Sequence, residues 1–141
     1  MKNFIALSIG VVGSFIASAL GGWDASVITL LCFLAIDFLL GLICAGVFHK
    51  SKKSENGCLE SKAGWKGLVR KCTTILFVVV ANRLDIQLGT TYIRDAVCIA
   101  FISNELISIV ENAGLMGLPI PKVISNAIAI LKNKDVEQNE Q

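Results

Sequence analysis

The sequence predicts an all-α integral membrane protein: two transmembrane helical hairpins followed by a C-terminal interfacial amphipathic helix. Three observations carry that expectation. Hydrophobic residues fill 54% of the 141 positions and charged residues only 17%, against roughly 25% charged in soluble domains. Mean hydropathy is +0.68. Most of the lysines are gathered between apolar runs instead of being spread along the chain. Intrinsic disorder is excluded, because a disordered chain needs low hydrophobicity, and the length is that of a single domain.

The first apolar run, residues 4–22, is uncharged. At 1.5 Å per residue it is about long enough to cross roughly 30 Å of hydrocarbon. Trp23 and Asp24 follow, an interfacial aromatic and an acid suited to a turn at the membrane surface. The second run, residues 25–48, is interrupted only by Asp37. Lys2, the apolar stretch and Ala17-Ser18-Ala19 together also resemble a signal peptide. A single lysine ahead of a run this long favours a retained helix, and the mass of the purified protein distinguishes the two.

The segment 49–67 is polar and rich in Ser and Gly, and reads as a basic loop. Lys50, Lys52, Lys53, Lys62, Lys66, Arg70 and Lys71 face only Glu55 and Glu60 in this region. The positive-inside rule places such a loop in the cytoplasm and accounts for the charge without a nucleic-acid partner. The third span, 68–88, is weaker. Its uncharged core of about ten residues covers roughly 15 Å, so the helix must take in charged residues at one end. The fourth span, 92–118, is amphipathic. At 100° per residue Arg94, Asn104, Glu105, Ser108, Glu111 and Asn112 fall within about a third of the circumference, with Asp95 off that stripe. Pro119 and Pro121 end it. Residues 121–134 then place Val123, Ile124, Ala127, Ile128 and Leu131 on one apolar face, the pattern of a helix lying on the cytoplasmic leaflet. Four spans put both termini in the cytoplasm; three spans, with one weak segment in the interface, is the alternative.

Asp37 stands near the middle of the second span, where a charge costs about 2.5–3.5 kcal/mol on insertion scales and marks function by default. Asp37, Gly41 and Ala45 share one stripe at i, i+4, i+8, and the small residues let helix backbones approach closely. Gly10, Gly13 and Ala17 offer the same geometry in the first span. These six residues are the expected packing and oligomerisation positions. The polar stripe of the fourth span needs partners. It pairs with the third span through Asn82 or Arg83, or it faces a water-filled lumen shared by several copies. Asn82, Arg83, Asp85, Arg94, Asn104, Glu105, Ser108, Glu111 and Asn112 are the expected lumen or inter-subunit polar positions. A peripheral helix with a solvated face is the plainer reading.

Nothing in the sequence points to an enzyme. Walker, dinucleotide-binding and nucleophile-elbow motifs are missing. Five cysteines occur without a Cys-x-x-Cys pair, and His49 is the single histidine, so no disulfide framework, metal site or cofactor is expected.

An ordered set of short motifs resembles the bacteriophage holins of the toxin-secretion and phage-lysis type. Gly22-Trp23 precedes Asp37-Phe38-Leu39-Leu40-Gly41-Leu42. A basic stretch follows, with Ser61, Gly64 and Lys71 at the family's spacing, then Ala81-Asn82-Arg83-Leu84-Asp85. Glu105-Leu106-Ile107-Ser108-Ile109-Val110-Glu111-Asn112 and Gly117-Leu118-Pro119-Ile120-Pro121 complete the series. The resemblance implies membrane helices and a homo-oligomer that opens the bacterial cytoplasmic membrane. An endolysin or a toxin lacking a signal sequence would be the cargo. An inhibitor made from a second nearby start is not encoded here, because the other methionine is Met116. The alternatives are an antiholin that restrains a pore-former, and a small ion-coupled transporter or channel subunit using Asp37 and Glu105.

Overall fold

The computed structural model describes residues 1–139, apart from the side chains of residues 135, 138 and 139. Five helices follow one another: α1 (Lys2–Leu20), α2 (Ala25–Gly46), α3 (Ser61–Leu88), α4 (Ile93–Leu115) and α5 (Lys122–Asn139). No strand occurs among the described residues.

The helix ends follow from local chemistry. Gly21 takes the left-handed conformation (φ 82°) after α1. The Gly21 amide donates to Ser18 and the Gly22 amide to Ala17, a Schellman closure that only glycine enters without strain. Asp24 caps α2, its carboxylate accepting from the Val27 amide at 3.0 Å, as N-cap acids do. Past α4, Gly117 is left-handed (φ 81°), and two prolines keep the chain from continuing as helix before α5 begins.

α3 starts at Ser61, inside the segment expected to be loop, so the connection shortens to residues 47–60. The Ser and Gly content of 61–67 was read as loop chemistry. Helix wins there because Gly64 and Gly67 cost only about 1 kcal/mol each and Lys62, Ala63 and Lys66 between them are good helix formers. The C-terminal segment expected over 121–134 forms α5, which turns back along α4. Ala127, Ile128 and Leu131 are half-buried, and Leu131 reaches the apolar core.

That core consists of Leu20, Val27, Leu30, Leu34, Val78, Cys98 and Ile102. α4 is its hub, packed against α2, α3 and α5. α3 and α4 pack as consecutive neighbours, but α1 leans on α3, and the most extensive partner of α2 is α4. α2 and α4 run parallel, since Arg94 near the start of α4 meets Asp24 at the start of α2 while Asn112 further along meets Asp37. α2 carries apolar residues on every side, so its inner face serves the core while Ile28, Ile36, Leu39 and Ile43 face outward. α1 buries only Leu20; Phe4, Leu7 and Phe15 are more than 60% exposed. Among the described helices, α1 and α2 have the length and apolarity to cross a membrane.

Two glycines separate conformational from steric constraint. A Cβ at Gly21 would lie 2.4 Å from the Asn82 side-chain oxygen and 2.7 Å from an Arg94 nitrogen. At Gly89 (φ 69°) it would meet nothing within 4 Å. Gly89→Ala is therefore expected to cost about 1–2 kcal/mol from backbone strain alone. Gly21→Ala must also displace two hydrogen-bonded side chains, and thermal unfolding in detergent should rank it clearly below Gly89→Ala.

Candidate functional site

The inner faces of α2, α3 and α4 converge on one group of charges. Asp37 lies on α2 about 18 Å along the helix from Ala25 and is 2% exposed. One of its carboxylate oxygens accepts from the Lys71 ammonium of α3 at 2.7 Å and from Lys53 of the connecting loop at 3.4 Å. The other accepts from the Asn112 amide of α4 at 3.1 Å. Lys71 also donates to Glu105 of α4 at 2.6 Å, and Lys53 reaches the Ser108 hydroxyl at 3.4 Å. One ammonium thus sits between two carboxylates, and a second, half-exposed ammonium closes the group from the loop side.

Removing such charges from water is expensive unless every one is paired and hydrogen-bonded. Both Asp37 oxygens are occupied here, which offsets the desolvation of a carboxylate held deep between helices. Gly41, one turn beyond Asp37, faces the same group: a Cβ there would stand in ordinary contact, 3.9 Å, with the Asn112 side-chain nitrogen. Ala45, the next small residue on the stripe, is buried.

A second polar group lies at the other end of the bundle, about 16 Å away along α4. Asp85 of α3 accepts from the Thr90 hydroxyl (2.6 Å) and from the backbone amides of Ile93 (3.1 Å) and Arg94 (2.8 Å), so it caps α4 from a neighbouring helix. The Arg94 guanidinium donates to the carbonyls of Leu20 and Gly21 at 3.3 and 2.8 Å, which are left without partners where α1 ends. It also pairs with the carboxylates of Asp24 and Asp95. Asn82 donates to the Ala19 carbonyl at 3.0 Å. The end of α1 is therefore held on α3 and α4 by hydrogen bonds and by Leu20, its one buried side chain.

A cleft of about 600 Å³ opens beside the ion cluster, between the first half of α3, the connecting loop and α4. Asn104, Glu105, Ser108 and Glu111 form its α4 wall, and Lys66, Arg70 and Lys71 its α3 wall.

The residues singled out in the sequence thus sort into distinct places. Asp37, Glu105, Ser108 and Asn112 meet in the cluster. The expected partners of the α4 stripe, Asn82 and Arg83, are elsewhere: Asn82 bonds α1, and Arg83 is exposed. Asp85 and Arg94 belong to the end clasp. Asn104 and Glu111 are exposed on the cleft. Gly10 and Gly13 have open space around them, and Ala17 is half-buried. Lys50 and Lys62 are exposed. Lys53 and Lys71, read from the sequence as topology determinants, are the counter-ions of Asp37. The pairing of Lys71 follows once the bounds of α2 and α3 are known. Asp37 lies nine residues before Gly46, the end of α2, and Lys71 lies ten after Ser61, the start of α3, so an antiparallel pair joined by a loop brings them to equal depth.

Two apolar helices of membrane-spanning length, beside an ion cluster held inside the bundle, suit a small helical membrane protein. The chain belongs to the bacteriophage holin family, whose sequence model matches residues 14–133. It is 36% identical to an uncharacterized protein of Listeria innocua over 97% of this chain and 94% of that one. It is also 36% identical to an uncharacterized 14.9 kDa protein of Clostridium perfringens, over 94% of this chain and 96% of that one. A protein of Bacillus phage phi105 described as "Probable holin" is 31% identical over 75% of this chain and 73% of its own length. No solved structure matches. The holin family is not an enzyme family.

Removing Lys71 alone leaves the buried Glu105 carboxylate without its counter-ion and Asp37 with the longer contact to the half-exposed Lys53, and breaking a buried ion pair in this way costs about 3–5 kcal/mol. Lys71→Met should therefore lower the unfolding temperature in detergent sharply, while Lys71→Met combined with Asp37→Asn and Glu105→Gln should recover most of the loss. Equal instability of the single and triple variants would show that Lys71 acts through packing and not through charge.

Proposed function

We propose that the protein acts as a holin: copies gather in the bacterial cytoplasmic membrane and open lesions that release an endolysin or a toxin lacking a signal sequence. The observation that carries this reading beyond family membership is the Asp37–Lys71–Glu105 group. The mid-helix charges of one chain neutralise each other inside it, so a single copy turns largely apolar helix surface outward. Such a copy accumulates in lipid without admitting water.

Four spans over α1 to α4, with the 47–60 connection and both termini in the cytoplasm, suit the lysine bias. In an assembly, α4 supplies the polar lining. Asn104 and Glu111 already face the cleft, and Glu105, Ser108 and Asn112 follow when α4 exchanges its partners in the chain for water and neighbouring copies. The exposed small residues of α1, Gly10 and Gly13 with Ala17 beside them, allow close approach of a second helix. The partners are further copies of the chain, membrane lipid and the released protein.

Inducible expression in a bacterium, with membrane potential and release of a folded cytoplasmic enzyme followed together, tests the reading. Sudden depolarisation with enzyme release after a lag is expected. Steady growth with the potential intact would remove it and leave the antiholin or transporter alternatives. For the lining, Glu105→Ala and Glu111→Ala should each shift the time of lysis at equal protein level; unchanged timing in both would falsify that assignment.

A further inference from the structure

We propose that the cleft between α3 and α4 is a binding site for a phosphate-bearing anion, and that its occupant is the headgroup of an anionic phospholipid. The argument begins with how the cations of α3 are turned. Lys66, Arg70 and Lys71 share one helical face with Ala63 and Gly67, and that face lines the cleft. The opposite face carries Trp65, Leu68, Val69 and Leu76, exposed by 67, 42, 46 and 62%. Cations serving only to orient the chain in the membrane are expected to splay outward to water. Here they share one face and line an open cleft, with Lys66 and Arg70 exposed along it.

The charge in that space does not cancel. Lys53 and Lys71 are occupied by Asp37 and Glu105. Lys52, Lys66 and Arg70 also line the cleft, and no carboxylate among the described residues forms an ion pair with them. Glu111 is the one acid of the lining not already paired, which leaves two positive charges in excess. Arg70 offers a planar fork suited to phosphate oxygens, and Lys66 adds a point charge one turn away. Asn104 and Ser108 on the facing wall supply neutral hydrogen-bonding groups. A volume of about 600 Å³ accommodates a headgroup.

The surroundings select a lipid over a soluble phosphate. Trp65 is the kind of residue that settles at the headgroup level, and it immediately precedes Lys66. The apolar stripe that continues through Leu68, Val69 and Leu76 leads away along α3 as a bed for acyl chains. At 100° per residue Val69 and Leu76 lie next to Lys66 around the helix, so a headgroup at the Lys66 edge of the cleft can lay its chains along that side of α3. The proposal rests on the placement of the chain in a membrane and not on pore formation, so it is tested without lysis.

The test uses the full chain in vesicles of phosphatidylcholine with a minor fraction of brominated lipid. Trp23→Phe leaves Trp65 as the single tryptophan, and its quenching reports the lipid gathered around α3 at the level of Lys66. Brominated phosphatidylglycerol is expected to quench Trp65 at several-fold lower content than brominated phosphatidylcholine. Lys66→Gln with Arg70→Gln should reduce that preference by about fivefold for each charge lost. Lys50→Gln with Lys62→Gln, an equal charge change at residues that do not line the cleft, should leave it in place, and circular dichroism confirms that the helices persist in each variant. Equal losses in the two pairs would reduce the effect to general surface attraction and overturn the site. Reversal by 10 mM-scale inorganic phosphate (about that concentration, well above the protein's) would overturn the lipid assignment in favour of a soluble phosphate. No preference in the parent protein would overturn both.

Discussion

The Lys71 ammonium between Asp37 and Glu105 is the constraint on which the rest of the bundle depends. Three helices contribute to it, and none can shift along its axis by a turn without leaving a charge unpaired. Apolar packing alone gives no such register, because one leucine face slides past another at small cost. The ion cluster fixes depth, while the end clasp of Asp85 and Arg94 fixes the helix ends about 16 Å away along α4. Between them the core of Val27, Leu30, Leu34, Val78, Cys98 and Ile102 fills in with little freedom left.

The same two polar groups explain why α4 is the hub. It is the amphipathic helix, and an amphipathic helix in an apolar setting has to turn its polar side toward partners. α2 and α3 supply those partners together, Asp37 from one and Lys71 from the other, in contact with each other over the stripe. α1 carries nothing that α4 needs along its length. It is held at its C-terminal end, where Arg94 and Asn82 take its unpaired carbonyls, and the remainder presents apolar side chains outward. A helix tied at one end and free along its length is the part of the chain best placed to meet another copy.

Much of this was legible in the sequence. Apolar runs of spanning length gave α1 and α2, glycine and proline marked the turns at Gly21 and Gly117, and a carboxylate in an apolar run marked Asp37 as important. The stripe on α4 was visible from spacing alone. What the sequence obscured was pairing. Lysines beside a membrane span serve orientation so commonly that Lys53 and Lys71 read as topology, and the similar distances of Asp37 and Lys71 from their helix ends emerge only once α3 is seen to begin at Ser61. The first turns of α3 were missed because Ser and Gly are turn residues in general and are tolerated in a helix at modest cost. The choice of α4 over α1 as the neighbour of α2 depends on side chains distant in the chain, which local patterns do not report.

The satisfied state of the single chain bears directly on how the proposed assembly is controlled. A lumen requires α4 to present Glu105, Ser108 and Asn112 to water, and in one chain all three are engaged. Opening them in lipid leaves buried charges without partners, at a cost of several kcal/mol for each ion. One chain surrounded by lipid has nothing to offset that cost. A ring of chains does, because the exposed groups of all copies then share one body of water and one another. The free energy of opening is therefore unfavourable for isolated copies and falls steeply with the number gathered. In the proposed assembly, a threshold in membrane density would follow from the ion cluster itself, and the tightness of the Asp37–Lys71–Glu105 group would set where it lies.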